Sequence, residues 1–135
     1  MAASPRIPAA TANAMLEAGI GSRANNGKLK LYSGVQPTAG GGAIGSQVLL
    51  AMFTMAADAF PVPAGGVLTA AAISAATGLA EGDATWYRLT MADGATTLID
   101  GSVGLTDADV LIDDIHITVG EAVAVTSFQI TQPLA

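Results

Sequence analysis

The sequence predicts an all-β fold, a small antiparallel β-sandwich or flattened barrel with a short N-terminal helix and an extended arm. Short segments alternate apolar and polar residues, the pattern of half-buried strands. Gly- and Pro-containing turn signals separate these segments, and Asp93-Gly94 is typical of a hairpin turn. Because 135 residues suit one core, we assign residues 1–26 to the arm and helix and residues 27–135 to a single β-sandwich domain.

The first predicted element is a short helix that follows a proline-containing arm. Residues 9–18 are rich in good helix formers, and glycines after them are expected to end the helix. Thr11 is the predicted N-cap. Met15 and Leu16 are the predicted apolar anchors of this helix on the core.

The first half of the domain contains three predicted strands. Residues 28–33 alternate clearly, so one face of this strand is expected in the core. The glycine-rich residues 36–46 predict an exposed flexible loop. Residues 47–55 are apolar on both faces, which predicts a strand in the middle of the assembly or of the domain. Residues 67–75 predict a further strand.

The second half predicts two hairpins. Residues 83–91 form a strand that turns at Asp93-Gly94, and residues 95–101 are expected to pair back. Residues 115–119 and 122–131 are expected to pair with each other around Gly120-Glu121.

Composition points towards assembly and away from several classes of site. The chain has no cysteine and a single histidine, which excludes thiolate sites and multi-histidine sites within one subunit. Charged residues make up 12% and apolar residues 51%, whereas a dispersed monomer usually has about 25–35% charged residues on its surface. Neighbouring subunits are therefore expected to cover part of the surface, although the abundant alanine inflates the apolar fraction.

The distribution of charge also bears on partners. The net charge is −6, with most basic residues before residue 31 and an acidic body in which Arg88 is the one cation. This asymmetry suits contact between the head of one copy and the body of the next, or it reflects solvated loops. An acidic body repels phosphate, so we expect no direct nucleic-acid partner.

The beginning of the chain lacks the charged and then continuously apolar pattern of a secretion signal. The longest apolar run, residues 48–57, is far below the about 20 residues that a membrane span needs. We therefore expect neither secretion nor a membrane partner.

Three patterns could carry chemistry, and each has a plainer explanation. Residues 40–45 satisfy GxGxxG, but a strand rather than a helix is predicted to follow, so a flexible loop is favoured. His116 with a nearby serine and aspartate forms a triad only by selection among many serines. The acidic cluster could hold a hard cation such as calcium, although a solvated acidic loop is favoured; its members are Asp107, Asp109, Asp113 and Asp114. We therefore predict no enzyme, catalytic residue, cofactor or metal site.

The arm, residues 1–8, and the loop of residues 36–46 are expected to reach onto neighbouring subunits. Trp86 is favoured as a core residue, but its large apolar area also suits an interface. The candidate interface residues are Arg6, Pro8, Tyr32, Gln36 and Trp86.

A family resemblance rests on the order of strand and turn segments. In order these are KLKLYSGVQPTA, a glycine-rich loop, GSQVLLAMFTM, AGGVLTAAAIS, ATWYRLTMADG, LIDGSVG and DADVLIDDIHITVGEAVAVTSFQITQP. This order, over about residues 10–133, is similar to that of small virion structural proteins of tailed bacteriophages. The resemblance implies a capsid decoration, neck (head–tail connector) or tail component. It carries over no functional residue.

Two functions from different classes follow. The first is a non-enzymatic virion subunit, made in the bacterial host cytoplasm, that packs against copies of itself and other virion proteins such as the major capsid or tail proteins. The alternative is a carbohydrate- or protein-binding β-sandwich module that uses an exposed face with Tyr32 and Trp86.

Overall fold

The computed structural model describes residues 7–131, so the predictions for most of the arm and for residues 132–135 lie outside the described residues. Within them the all-β prediction with one short N-terminal helix is confirmed. In chain order the elements are α1 (Ala9–Leu16), β1 (Lys28–Tyr32), β2 (Leu49–Thr54), β3 (Val67–Thr69), β4 (Ala76–Thr77), β5 (Gly82–Asp83), β6 (Trp86–Thr90), β7 (Thr97–Gly104), β8 (Val110–Ile112), β9 (His116–Ile117), β10 (Ala122–Val123) and β11 (Val125–Thr131).

One curled sheet of seven strands dominates the described residues. Its strand order is β2-β1-β6-β7-β8-β11-β3. Two short pairs, β4 with β10 and β5 with β9, accompany it. The predicted two-layer sandwich is not confirmed: the seven strands form a single curled sheet, a half-barrel.

The core lies on the inner face of the sheet. Phe128 meets Tyr87 and Phe60 edge to face, with ring centroids 5.0 and 5.4 Å apart. Leu16, the last residue of α1, and Ala24, in the 3₁₀ turn after it, belong to the same hydrophobic cluster as the strand residues. The helix is thus part of the core of the sheet.

The helix differs from its prediction at the N-cap and at one of the two predicted apolar anchors. Thr11 lies inside α1 and its N–H donates to the carbonyl of Pro8, which occupies the N-cap position. Ala12 and Leu16 are buried, one turn apart, whereas Met15 is 50% exposed. Ala12 and Leu16, four residues apart, thus define the helix face that packs on the core, and Met15 lies at the border of that face, half exposed. A single π-helical turn and a 3₁₀ turn then carry the chain to Ala24.

The prediction that residues 47–55 form a central strand is wrong for the sheet of one subunit. β2 lies at the end of the sheet order and pairs only with β1. Its inward side chains, such as Phe53, are buried, while Met52 is 43% exposed. An apolar outer face misled the prediction, because continuous apolar runs usually mark strands that are covered on both sides.

The predicted hairpin around Gly120-Glu121 is also wrong. β9 pairs with β5, and β10 pairs with β4, so the two segments turn towards different partners. The turn itself exists, with Gly120 at φ 85°. The strand predicted over residues 67–75 is likewise shorter, since β3 ends at Thr69 and the N–H of Ala71 donates to Ala59.

One strand pair departs from the antiparallel prediction. β7 and β8 run parallel through the pairs Val103 with Val110 and Gly104 with Leu111. The connection between them folds sharply, with Asp107 at φ 52°, and the N–H of Asp109 donates to the Ser102 hydroxyl. By contrast, the predicted hairpin between residues 83–91 and 95–101 is confirmed as β6 and β7.

Candidate functional site

The outer face of the sheet carries a cluster of four side chains that we call the Arg88 clamp: Tyr32, Trp86, Arg88 and Asp100. Strand register places Tyr32 opposite Trp86, and Arg88 opposite Asp100. The Tyr32 and Trp86 rings stack with centroids 4.5 Å apart and an interplanar angle of 13°. The Arg88 guanidinium carbon lies 5.4 Å from the centroid of the Trp86 ring. The cluster is therefore a layered stack of two rings and a cation.

A bidentate ion pair with Asp100 holds the Arg88 guanidinium in place. Arg88 Nε donates to Asp100 Oδ1 over 2.8 Å, and Arg88 Nη2 donates to Oδ2 over 3.0 Å. The Asp100 side chain is 1% exposed and that of Arg88 is 10% exposed. The hydrogen bond from Asp100 raises the pKa of Arg88 above its ordinary value. A planar guanidinium suits this geometry better than a lysine would.

The glycine-rich loop of residues 36–46 covers the clamp. The Gly42 carbonyl accepts from Arg88 Nη2 over 2.7 Å, and the Gly41 N–H donates to Asp100 Oδ2 over 3.0 Å. Gly41 has φ 76°, a conformation that glycine adopts without a steric penalty. The GxGxxG stretch thus holds an internal ion pair, and its residues are loop rather than the start of a helix.

The polar groups of Trp86, Arg88 and Asp100 are engaged within the subunit. Trp86 Nε1 donates to the Ser33 carbonyl over 3.2 Å. Within residues 7–131 every buried side-chain nitrogen or oxygen has a hydrogen-bond partner. Trp86 is 1% exposed and Tyr32 is 7% exposed, so neither presents a ring to solvent. The geometry of the clamp suits a structural role, in which it holds the glycine-rich loop against the sheet.

A second feature is the outer edge of β2, which carries backbone N–H and C=O groups without a partner among the described residues. The N–H of Met55 donates to Gly27, and antiparallel pairs alternate in bonding, so Phe53 also faces β1. The N–H and C=O groups of Met52 and Thr54 consequently point away from the sheet. No described residue forms a hydrogen bond to these four backbone groups.

A groove runs beside this edge. It has a volume of about 640 Å³, and its lining carries no charge: Met52, Phe53, Thr54, Met55, Ala56, Ala72, Ser74, Ala75, Ala76, Thr77 and Leu79. Met52 and Leu79 are 43% and 54% exposed. The N–H of Leu79 donates to the Leu50 carbonyl, which closes the groove at that end. We call this edge and its groove the β2 groove.

His116 lies at the surface, in the β5–β9 pair. Its Nδ1 is 2.8 Å from Asp83 Oδ1 and its Nε2 is 3.5 Å from Glu81 Oε2. The hydrogen bond to Asp83 raises the pKa of His116 above its ordinary value. Its close partners are carboxylates on the neighbouring strand, so the serine-containing triad is not assembled.

The acidic segment does not gather into a cation site. Asp109 turns inward and accepts from the Tyr87 hydroxyl over 3.0 Å. Burial, followed by this carboxylate, raises the pKa of Tyr87. Asp114 Oδ1 accepts a hydrogen bond from the backbone N–H of His116 over 3.0 Å. In the described part of the chain no group of three or more histidine, aspartate or glutamate side chains is placed to hold a metal ion.

The structure joins two of the predicted interface residues and separates the others. Tyr32 and Trp86 meet in the clamp; Trp86 is buried, as its size favours, but under the loop on the outer face and outside the hydrophobic core cluster. Pro8 and Gln36 are exposed, and neither belongs to the clamp. Arg6 lies outside the described residues. Sequence reasoning missed Asp100, although the predicted hairpin register could have placed it opposite Arg88.

Comparison with protein-family models, curated proteins and solved structures finds no match for this chain. Among residues 7–131 no helix has the length and apolar character that crossing a membrane requires.

Proposed function

We propose that this protein is a non-enzymatic structural subunit that packs by repeated contacts in a larger particle. The observation that carries the proposal is the β2 groove, where unpaired strand groups border exposed apolar side chains. Open strand edges are surfaces that pair readily with other chains, and proteins usually protect them. An edge left open beside an apolar groove therefore favours a protein partner.

The resemblance to tailed-phage virion proteins supplies the kind of particle. On this proposal the protein is synthesised in the bacterial host cytoplasm and resides in the virion, in the capsid surface, neck or tail. Its partners are copies of itself and other virion proteins such as the major capsid or tail proteins. The low charged fraction of 12% agrees with a surface that is partly covered after assembly.

The finer architecture belongs to the same proposal. The half-barrel would act as the rigid body, and residues 70–79, which reach from β3 to Leu50, would complete a flattened barrel on its open side. The alternative of a carbohydrate- or protein-binding module required Tyr32 and Trp86 on an exposed face. Both rings are covered, so no observation favours binding through that face.

The test is the copy number of the protein in gradient-purified particles from the source cells, measured by quantitative peptide mass spectrometry against the major shell subunit. Near-equal abundance would support shell decoration or a tail repeat, and a small ring-sized number would support a neck position. Absence from particles would overturn the proposal.

A further inference from the structure

We propose that residues 74–77, which we call the strap, close intermittently onto β2 and cover its outer edge when no partner occupies it. The strap belongs to the wall of the β2 groove that lies across from β2. The inference rests on the proposed function, because it gives the partner that binds this edge a competitor within the same chain. It therefore concerns the regulation of the β2 groove.

The strap segment and β2 are already joined at one end. The N–H of Leu79 donates to the Leu50 carbonyl over 2.8 Å, and Cα atoms of β4 lie within 8 Å of those of β2. The two segments nevertheless form no ladder, since β4 pairs with β10 and the seven-stranded sheet ends at β2. They are thus close neighbours with one hydrogen bond formed and the rest of the pairing open.

The hydrogen-bonding groups of the strap alternate between its two sides. The N–H of Gly78 donates to the Glu121 carbonyl, on the side of β10, whereas the next residue, Leu79, donates to β2. Alternate residues of a strand direct their backbone groups to opposite sides. Thr77 and Ala75 share the parity of Leu79, so their N–H and C=O groups are expected to point towards β2.

The relative direction of the two segments follows from the lining of the groove. Residues 72–77 precede Leu79 in the chain, and they line the groove together with residues 52–56, which follow Leu50. Because Leu79 is bonded to Leu50, the two segments run antiparallel from that bond.

Continuing the antiparallel pairing from that bond, two residues at a time, sets the register of closing. It places Thr77 opposite Met52 and Ala75 opposite Thr54. Met52 and Thr54 are the residues of β2 whose outward N–H and C=O groups have no partner among the described residues. A closed strap would therefore satisfy all four of these groups.

The composition of the strap keeps this pairing marginal. Ser74, Ala75 and Ala76 are small, which leaves room for the backbones to approach, but alanine is depleted in strands and packs little surface there. β4 is also only 2 residues long. The described arrangement is open, so closing occupies part of the time and slows exchange of the Met52 amide only a few-fold.

A competitor within the chain suits a subunit that must wait for the correct partner. Open strand edges pair with unintended chains unless something covers them. A partner that binds β2 better than the strap does would shift the strap to its open arrangement. The strap would thus protect the free subunit and give way during assembly.

Disulfide trapping in dilute, isolated protein tests closing, because the chain has no cysteine of its own. Ala75→Cys combined with Thr54→Cys puts the two thiols opposite each other in the closed register, with Cα atoms about 5.5 Å apart. Ala75→Cys combined with Met52→Cys is the matched control, two residues out of register. We expect the first pair to oxidise within one chain several-fold faster than the second. Equal rates would overturn the inference.

A second pair of variants checks the hydrogen bonds of the closed strap in the protein that carries Ala75→Cys and Thr54→Cys. Thr77→Pro removes the N–H that would donate to Met52, whereas Thr77→Val removes the hydroxyl and keeps that N–H. We expect Thr77→Pro to slow oxidation several-fold and Thr77→Val to leave it unchanged, with circular dichroism showing that both variants are folded. An unchanged rate in folded Thr77→Pro protein would contradict closing.

Incorporation into particles separates the inference from the function. Oxidised protein with Ala75→Cys and Thr54→Cys has a locked strap, and we expect its incorporation to fall several-fold and to recover with a reductant. If the oxidised and reduced forms are incorporated equally, the proposed function stands and the competition with the partner is overturned. Absence of wild-type protein from particles overturns the proposed function, while faster oxidation of the in-register pair would still support closing.

Discussion

The Arg88 clamp and the β2 groove lie on the same sheet but differ in how far their hydrogen-bonding groups are satisfied within the subunit. In the clamp, side chains that sequence alone would assign to a binding face are stacked, paired and covered by a loop. In the β2 groove, plain apolar residues flank backbone groups without a partner among the described residues. Aromatic and charged residues thus mark a closed part of this sheet, and the surface that we propose for association is an edge of ordinary composition.

The clamp is closed and the edge of β2 is open because a buried charge and an exposed backbone group differ in how their hydrogen bonds must be satisfied. A buried arginine is tolerated only when its charge is paired and its donors are satisfied, so the clamp has to be complete within the subunit. An edge strand can leave its groups to water until another strand arrives. Four substitutions test this contrast, in order of decreasing expected effect on stability.

Arg88→Met should produce the largest loss of stability. It leaves the Asp100 carboxylate buried without its partner, and we expect the free energy of unfolding to fall by about 3 kcal/mol. Urea unfolding followed by circular dichroism measures it. Lys28→Met on the same face is the control, because the Lys28 ammonium forms an exposed hydrogen bond to the Thr54 hydroxyl and its loss should change stability by less than about 0.5 kcal/mol. Equal losses would mean that the ion pair is not what fastens this face.

Gly41→Ala should weaken the loop that covers the clamp. The φ of 76° at Gly41 disfavours any residue with a Cβ, and we expect a loss of about 1 kcal/mol. Gly40→Ala is the matched control, since no atom lies within 4 Å of a Cβ built there. The emission of Trp86 should shift to longer wavelength in the first variant only. An unchanged spectrum in both would show that the loop does not shield Trp86.

Met52→Lys should separate association from folding. Charged residues on edge strands discourage pairing, while Met52 is already 43% exposed, so the free energy of unfolding should change by less than about 0.5 kcal/mol. Sedimentation velocity and incorporation into particles should both show reduced association. Val62→Lys, at a residue that is 92% exposed and outside the groove, serves as the control. If Met52→Lys protein still assembles normally, the edge is not the contact.

The β5–β9 pair should show a small dependence on pH through His116. Asp83 and Glu81 face this histidine and raise its pKa above 6.5 in the folded state. A raised pKa means that the stabilisation is complete below about pH 6.5 and is lost as pH rises through the folded-state value. Nuclear magnetic resonance titration should therefore give a midpoint above that of an unfolded control. Asp83→Asn should lower the midpoint, and no change would contradict the assignment.

Local patterns predicted the parts of the fold that depend on neighbouring residues. The strand at residues 28–33 and the β6–β7 hairpin were predicted because alternation and Asp93-Gly94 are local signals. The register of that hairpin places Arg88 opposite Asp100, so the ion pair was within reach of sequence reasoning. The burial of Trp86 followed from its size.

The remaining errors concern pairing between distant segments. Nothing near Gly120 indicates that β9 pairs with β5 and β10 with β4, and the turn signal alone suggested a hairpin. The edge position of β2 depends on the whole strand order, which its apolar composition does not encode. For the same reason the β2 groove, built from residues 52–56 and 72–79, left no pattern in the sequence.

Amide hydrogen exchange at Met52 and Thr54 tests the central claim most directly, in the isolated protein and in the assembled particle. In the isolated subunit both amides should exchange quickly, while the amide of Phe53, which faces β1, should be protected. On assembly the amides of Met52 and Thr54 should become protected and that of Arg88 should remain as it was. Fast exchange at Met52 and Thr54 in the particle would contradict the assignment of the β2 groove as the surface of association.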